Sequence, residues 1–308
     1  MTGQPDTRRT AGKALGAALL VTLIGACTRH PPRGGGQKLI DETGRTVTPR
    51  AVPTRRIVSL APNITELLFA ISAGPQLVGV DNYSDEPAAS VAAISKVGSN
   101  YEPSLERIVA LIPDVVITSL SANRRETVAA LERLGVPVFV TDTKSIPEME
   151  RTLLNLGKLT GQEREADKQI AAMNEGLAEV RRRGAGPSRP RVLVVVWDDP
   201  LYVAGRNTFT HDLIAIAGGV NVATDAIGFA KYPLERVLRS APDVIVLPTH
   251  SAPEKGPRAV AYWSRWPDLP AVRAQRVHAV EDSLISRPGA RLVAGAELLL
   301  GLIRPPVR

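Results

Sequence analysis

Arg56-Ile57-Val58-Ser59-Leu60-Ala61-Pro62-Asn63-Ile64-Thr65-Glu66 decides the fold. The run 56–60 is short, apolar and closed by a proline turn, the form of a strand buried on both faces. Asn63 followed three residues later by Glu66 has the spacing of a helix N-cap with an acidic partner. The apolar residues beyond it continue to Ser72, and Gly74 is placed to stop the helix. Leu77-Val78-Gly79-Val80 reads as the next strand. Strand, turn, helix and strand in that order write a parallel α/β sheet.

The same grammar runs outward. Residues 38–52 alternate apolar and polar around Glu42-Thr43-Gly44-Arg45, a hairpin signature. Downstream, helices are predicted over 105–111 and 124–134 and strands over 115–118 and 136–140. From 146 to 183 no strand signal appears. Apolar residues three or four apart (Met149, Leu153, Leu156, Leu159, then Ala166, Ile170, Met173, Leu177, Val180) predict one long helix or two nearly collinear ones. A continuous rod there would be about 50 Å long at 1.5 Å per residue. Gly184-Ala185-Gly186-Pro187 ends it, and a second α/β run follows, with strands over 192–197, 244–247 and 277–280 and helices over 210–217, 234–239 and 290–303.

The two runs echo each other. Leu105-Glu106-Arg107-Ile108 precedes Pro113-Asp114-Val115-Val116-Ile117, and Leu234-Glu235-Arg236-Val237 precedes Pro242-Asp243-Val244-Ile245-Val246. A matching unit in each half predicts an α/β protein of two similar parallel-sheet lobes joined by a long backbone helix, with a ligand cleft between the lobes. The expected divisions are a signal peptide over 1–26, a tether over 27–37, an N-terminal lobe over 38–145, a linking helix over 146–184 and a C-terminal lobe over 185–308.

The amino terminus reads as an export signal. Arg8, Arg9 and Lys13 precede a short apolar run over 14–24, too short for a comfortable membrane span. Ile24-Gly25-Ala26-Cys27 follows and resembles a bacterial lipobox, which implies cleavage before Cys27 and lipidation of that residue. The Pro/Gly-rich stretch after it cannot bury apolar area and reads as a tether. The expected location is the outer side of a membrane, with the body held through the lipid.

Composition narrows the chemistry. The chain has 308 residues, 44% hydrophobic and 22% charged, which suits a folded protein. One Cys excludes an internal disulfide or a cysteine cluster, and the four His show no metal-ligand spacing, so no metal site of the protein's own is expected. The net charge is +7, and removing the first 26 residues takes away three cations and one anion, leaving +5. That excess is spread out and no nucleic-acid reader motif accompanies it, so no nucleic-acid partner is expected. Ser59, His211 and Asp212 are available for hydrolysis, but no Gly-x-Ser-x-Gly elbow or phosphate-cradling glycine loop exists, and the chain does not read as an enzyme.

From about Arg55 onward the chain resembles the periplasmic substrate-binding proteins of the iron-siderophore and vitamin B12 class. The carriers are 56–66, Val78-Gly79-Val80-Asp81-Asn82-Tyr83-Ser84-Asp85, the repeated Leu-Glu-Arg…Pro-Asp-Val unit, Asp212-Leu213-Ile214 with Gly218-Gly219-Val220-Asn221, Tyr232-Pro233, and Arg287-Pro288-Gly289-Ala290-Arg291. The resemblance implies capture of a metal chelate between the lobes and delivery to an ABC permease with its ATPase, by a monomer that needs no cofactor. It implies permease docking through one acidic residue per lobe, here Glu106 and Glu235. Glu66 reads instead as a capping partner. It places Tyr83, Asn100, Tyr101, Ser119, Trp197, Tyr202, Tyr232, Asp282 and Arg287 at the ligand cleft.

This sequence departs from the B12-binding pattern near Asn100 and Tyr101 and at Ser119, where that pattern carries Trp. Trp197 either compensates for the lost flat area or packs in the core. Trp263 and Trp266 read as helix packing. Arg287 either pairs with an anionic ligand group or caps the last helix. The expected ligand is cobalamin or a related corrinoid, the alternative being a ferric siderophore or haem.

Overall fold

The protein is described by a computed structural model over residues 37–249, 256–281 and 283–304. The expected signal peptide, Cys27, all of the expected tether but Gln37, and Asp282 lie outside the described residues.

Strands β1 (Leu39–Ile40) and β2 (Thr46–Val47) pair antiparallel about Gly44. The first lobe then runs β3 (Ile57–Ser59), α1 (Pro62–Ala70), β4 (Leu77–Val80), α2 (Ala88–Val91), β5 (Ser95–Lys96), α3 (Leu105–Ala110), β6 (Val115–Ser119), α4 (Arg125–Arg133) and β7 (Val138–Thr141). Its five strands are parallel in the order β5-β4-β3-β6-β7. The chain grows one way from β3 and then the other, so the switch of direction lies between β3 and β6. In open parallel sheets ligands bind outside the carboxyl ends of the strands at such a point.

Helices α5 (Ile146–Thr160) and α6 (Glu163–Gly184) follow. The expectation of one rod or two collinear ones is corrected. Gly161 takes φ +70°, open to glycine at no cost, and the chain turns sharply there. A Cβ on Gly157 would sit 2.9 Å from the Ala166 Cβ, whereas nine residues of straight helix span about 13 Å. Helix α5 therefore covers the first lobe, closing on it where the Thr54 N–H donates to the Leu159 carbonyl at 2.8 Å. Helix α6 makes the crossing, a rod of about 33 Å.

The second lobe runs β8 (Arg191–Asp198), β9 (Leu201–Ala204), α7 (Phe209–Ile216), β10 (Val220–Asn221), β11 (Phe229–Lys231), α8 (Leu234–Ser240), β12 (Val244–Pro248), α9 (Gly256–Trp263), α10 (Pro270–Arg273), β13 (Val277–Val280), α11 (Ser283–Ser286) and α12 (Leu292–Ile303). Strands β10, β12 and β13 lie parallel to or in line with β8, while β9 and β11 form an antiparallel extension from its outer end. Here the switch lies between β8 and β12. Far from the first lobe, α6 packs on α7 and α12, with Gly176 against Val293 and Gly184 against Ala217.

The sequence echo has a common mechanical role. In the first lobe Asp114 accepts from the backbone N–H groups of Arg55 (2.8 Å) and Arg56 (3.0 Å). In the second, Asp243 accepts from the N–H of Arg191 at 2.8 Å and from its guanidinium. Each Pro-Asp pair thus ties the start of one central strand to the start of its neighbour.

Among the described residues, polar contacts at Asp212 and along the 287–291 loop also join the lobes. The Asp212 carboxylate, on α7, accepts from the backbone N–H of Ile146 at 3.3 Å, at the open start of α5. On the other side the loop over 287–291 grips α1. Glu66, 5% exposed, accepts from Arg291 Nε at 3.2 Å and Nη2 at 3.1 Å, and Arg287 lies 3.6 Å away. Arg287 also donates to Asp85 at 2.6 Å, and Asn63 donates to the Pro288 carbonyl at 3.4 Å. Gly289 lets the loop come close, since a Cβ there would stand 3.2 Å from Glu66 Oε2, a tight contact. Glu66 is thus a clasp between lobes. The helix it was expected to cap begins one residue before Asn63, behind Ala61, with no side-chain cap.

Partial burial pushes the Asp85 carboxyl up, but the hydrogen bond and charge of Arg287 outweigh it and hold it below the usual 3.8. A carboxyl so depressed strengthens the clasp above its ordinary value, and the contribution is lost as pH falls through the lowered one. Arg287→Gln is expected to return Asp85 toward 3.8 in an NMR titration; an unchanged Asp85 titration would contradict the pairing.

Candidate functional site

Arg287 follows the carboxyl end of β13 through α11, and Asp85 follows the carboxyl end of β4. Their contact joins the segments that follow the carboxyl ends of one strand in each sheet.

On the first lobe, Asp81 organises that edge. Its carboxylate, fully buried, accepts from the backbone N–H of Tyr83 (2.6 Å) and Ser84 (3.1 Å) and from the Ser84 hydroxyl (2.9 Å). Burial pushes its pKa up despite these bonds. Ser84 Oγ continues to Thr65 Oγ1 at 2.8 Å and Thr65 to Ser59 Oγ at 2.9 Å, a line of hydroxyls beneath the turn. Lys96 donates to the carbonyls of Asp81 (3.2 Å) and Ser84. The turn is therefore fixed while the Tyr83 ring stands 56% exposed.

Tyr101 is 54% exposed, with the Arg124 guanidinium 3.7 Å above its ring, and Arg124 also pairs with Glu102 at 3.6 Å. Asn123 was not anticipated. Its Nδ2 donates to the carbonyls of Leu60 (3.3 Å) and Asn100, and its Oδ1 accepts from the Ser119 N–H at 2.9 Å. One amide thereby ties the ends of β3 and β6 to the loop after β5, across the switch point. Asn100 is held through its backbone, and Ser119 is 2% exposed with its hydroxyl beside that of Ser121 at 3.0 Å.

The second lobe is built differently. Trp197 and Tyr202 oppose each other across the β8–β9 ladder at its turn. Trp197 is 50% exposed, its indole N–H donating to the Asp199 carbonyl at 2.8 Å. Half-exposed at the edge, Trp197 is not a core residue. Beside it, outside the carboxyl ends of β8 and β12, opens a pocket of about 830 Å³ walled by Trp197, Leu247, Thr249 and Tyr262, with Arg258 and Arg265 on its rim. Trp263 and Trp266 pack with Tyr262 as an aromatic cluster under it, in agreement with the packing role expected of them.

Tyr232 stands apart from these. It is 6% exposed within the second lobe's core, and its hydroxyl donates to Asp225 at 2.8 Å. Burial first, then the bond and charge of Asp225, push its pKa up to about 12. Its hydroxyl is already engaged within the fold. Arg287 neither caps α12 nor stands open, being engaged by Asp85 and Glu66.

Glu106 and Glu235 occupy the second position of α3 and α8. Ile108 and Val237, two residues on, are buried, so both carboxylates face outward, exposed and without an ion pair among the described residues. Among the described residues no group of His, Cys, Asp and Glu is arranged to hold a metal ion, and no helix is long and apolar enough to cross a membrane.

Comparison with known proteins fits this architecture. The family model described as "Periplasmic binding protein" matches residues 57–284. The chain is 30% identical over 275 residues to the uncharacterized ABC transporter substrate-binding lipoprotein YvrC of Bacillus subtilis, covering 86% of this chain and 84% of that one. Among solved structures, the periplasmic vitamin B12 binding protein BtuF of Vibrio cholerae superposes with a TM-score of 0.71 at 25% identity, covering 82% of this chain and 97% of that one. The periplasmic heme-binding protein RhuT from Roseiflexus sp. RS-1, in apo form, superposes with a TM-score of 0.72 at 28% identity, covering 81% and 98%. With two α/β lobes linked through α6, the chain belongs to the periplasmic binding protein family of ABC-transporter substrate-binding proteins.

Proposed function

We propose that the protein captures cobalamin or a related corrinoid between its lobes and delivers it to the permease of an ABC importer. The observation that carries this reading is the set of half-exposed aromatic side chains, Tyr83 and Tyr101 on one carboxyl edge and Trp197 on the other. Exposed rings held on fixed backbone offer flat apolar area to a flat macrocycle at little entropic cost. The relatives named as vitamin B12-binding proteins, such as that of Vibrio parahaemolyticus at 28% identity, support the choice. The protein acts by binding, with no catalytic step. In this reading Cys27 carries the lipid that holds the exported body at the membrane, the body works as a monomer, and Glu106 and Glu235 are its contacts to the permease.

The second reading is haem or a ferric siderophore. Arg258 and Arg265 favour it, because two cations on the pocket rim suit ligand carboxylates.

Calorimetric titration of the full chain with cyanocobalamin, haem and ferric chelates decides between them. Saturable binding of cyanocobalamin is expected, and binding of haem or a ferric siderophore alone would replace the corrinoid reading by the second. Trp197→Ala is expected to weaken cyanocobalamin binding roughly thirtyfold, from the loss of about 2 kcal/mol of ring burial; unaltered affinity would remove Trp197 from the site. Reversing both docking charges, Glu106→Arg with Glu235→Arg, is expected to abolish uptake in cells while leaving ligand affinity intact. Normal uptake by the double variant would remove the docking assignment.

A further inference from the structure

The pocket beside Trp197 lies outside the carboxyl ends of β8 and β12. The amino ends of the same strands carry a second one. Strands β8, β12 and β13 are parallel, so Arg191, Asp243 and Arg276, each at or just before a strand start, share one edge. A pocket of about 380 Å³ opens there, walled by Ser188, Arg189, Asp243, Pro270, Arg273 and Arg276.

The charges in this pocket do not balance. Its one carboxylate, Asp243, is taken by Arg191, whose Nε and Nη2 donate to it at 3.2 and 3.1 Å. Arg276 Nη2 donates to the carbonyls of Leu302 and Ile303, both at 2.8 Å, in the last turn of α12. Those carbonyls orient the guanidinium without neutralising it. Burial pushes its pKa below the ordinary value, against the pull of Asp243. An arginine keeps its proton, so what burial takes away is the solvation of the charge. Arg189 donates to the Gly219 carbonyl at 3.1 Å, and Arg273 makes no hydrogen bond or ion pair among the described residues. Behind Ser188, Arg304 donates to that residue's carbonyl at 2.6 Å, and its Nε is buried without a partner among the described residues. The chain entering the pocket, 181–191, holds five arginines, all exposed, and no acid. Of these, Arg182 and Arg183 pair with Glu179 and Glu297.

Three guanidinium groups around one engaged carboxylate leave room and charge for a tetrahedral oxyanion, and a guanidinium fork matches phosphate oxygens with paired hydrogen bonds. The exposed cations beside the pocket spread the positive field wider than a single small ion needs. They fit a plane of negative headgroups, where each added cation strengthens attachment.

We propose that this amino-edge pocket binds the phosphate of an anionic lipid headgroup, with Arg189, Arg273 and Arg276 as donors and the exposed arginines of 181–191 along the lipid surface. The inference does not depend on which chelate the protein carries. Glu235 stands near the start of α8, and Ser240, whose carbonyl accepts from Arg191 at 3.2 Å, stands at its end. Lipid and permease therefore meet different ends of the lobe.

Co-sedimentation of the full chain with phosphatidylglycerol and with phosphatidylcholine vesicles tests the site, the second lipid giving the baseline for apolar attachment. Binding to phosphatidylglycerol is expected to exceed that baseline and to fall as salt rises. Arg189→Gln with Arg273→Gln is expected to lower the phosphatidylglycerol partition roughly thirtyfold and to leave the baseline unchanged. Arg273→Gln alone, which breaks no bond of the fold, is expected to lower it roughly fivefold, so the test stands even if the double variant unfolds. Arg125→Gln with Arg133→Gln, on α4 of the first lobe, removes the same net charge and is expected to lower it far less. No preference for phosphatidylglycerol, or equal losses in the two double variants, would overturn the site. Saturable binding of inorganic phosphate by calorimetry without any preference among vesicles would overturn the assignment to lipid in favour of a free ion.

Discussion

The carboxylate of Glu66 is the point on which the cleft depends. It is buried on α1 of one lobe and held by Arg291 and Arg287 of the other. Removing a charge from water is repaid only where its partners are in place, and deleting one partner of a fully buried pair costs about 3–5 kcal/mol. The arginines here keep some exposure, so the loss would be smaller, but its direction is fixed. Helix α6 sets the distance between the lobes without fixing their rotation about it. The clasp on one side and the Asp212 contact to the start of α5 on the other remove that freedom. A site assembled from two edges then keeps its shape before any ligand arrives, which lowers the ordering cost of binding.

Within that frame the lobes divide the work. The first presents the Tyr83 ring on a turn held by Asp81 and Ser84, and Asn123 bonds the ends of β3 and β6 to the loop after β5. The second leaves its crevice open, with an indole, a phenol ring and two guanidinium groups around it.

Much of the architecture was legible because it is local. The Leu-Glu-Arg…Pro-Asp-Val echo announces two related lobes, since each Asp ties neighbouring strands within its own unit. The spacing around Glu66 is equally local in form, and it misled: the residue's true partner lies 225 positions away, beyond the reach of any window. Gly161 could be seen as a break, but the fold-back that it permits depends on the contact of Gly157 with Ala166. Asn123 left no signal, because its partners are backbone groups. Arg258 and Arg265 read as ordinary surface charge until α9 is placed over the pocket, and Tyr232, aromatic and next to Pro233, gave no hint that Asp225 would claim its hydroxyl.

The most direct measurement is the distance between the lobes in solution. Cys27 is the only cysteine, so in a Cys27→Ser chain spin labels placed by Arg133→Cys on α4 and Arg239→Cys on α8 are the sole reporters. Pulsed electron resonance is expected to give one narrow distance distribution that bound ligand leaves in place and that Glu66→Gln broadens. Two distances without ligand, a large ligand-driven shift, or a distribution indifferent to Glu66→Gln would contradict a cleft held open by that carboxylate.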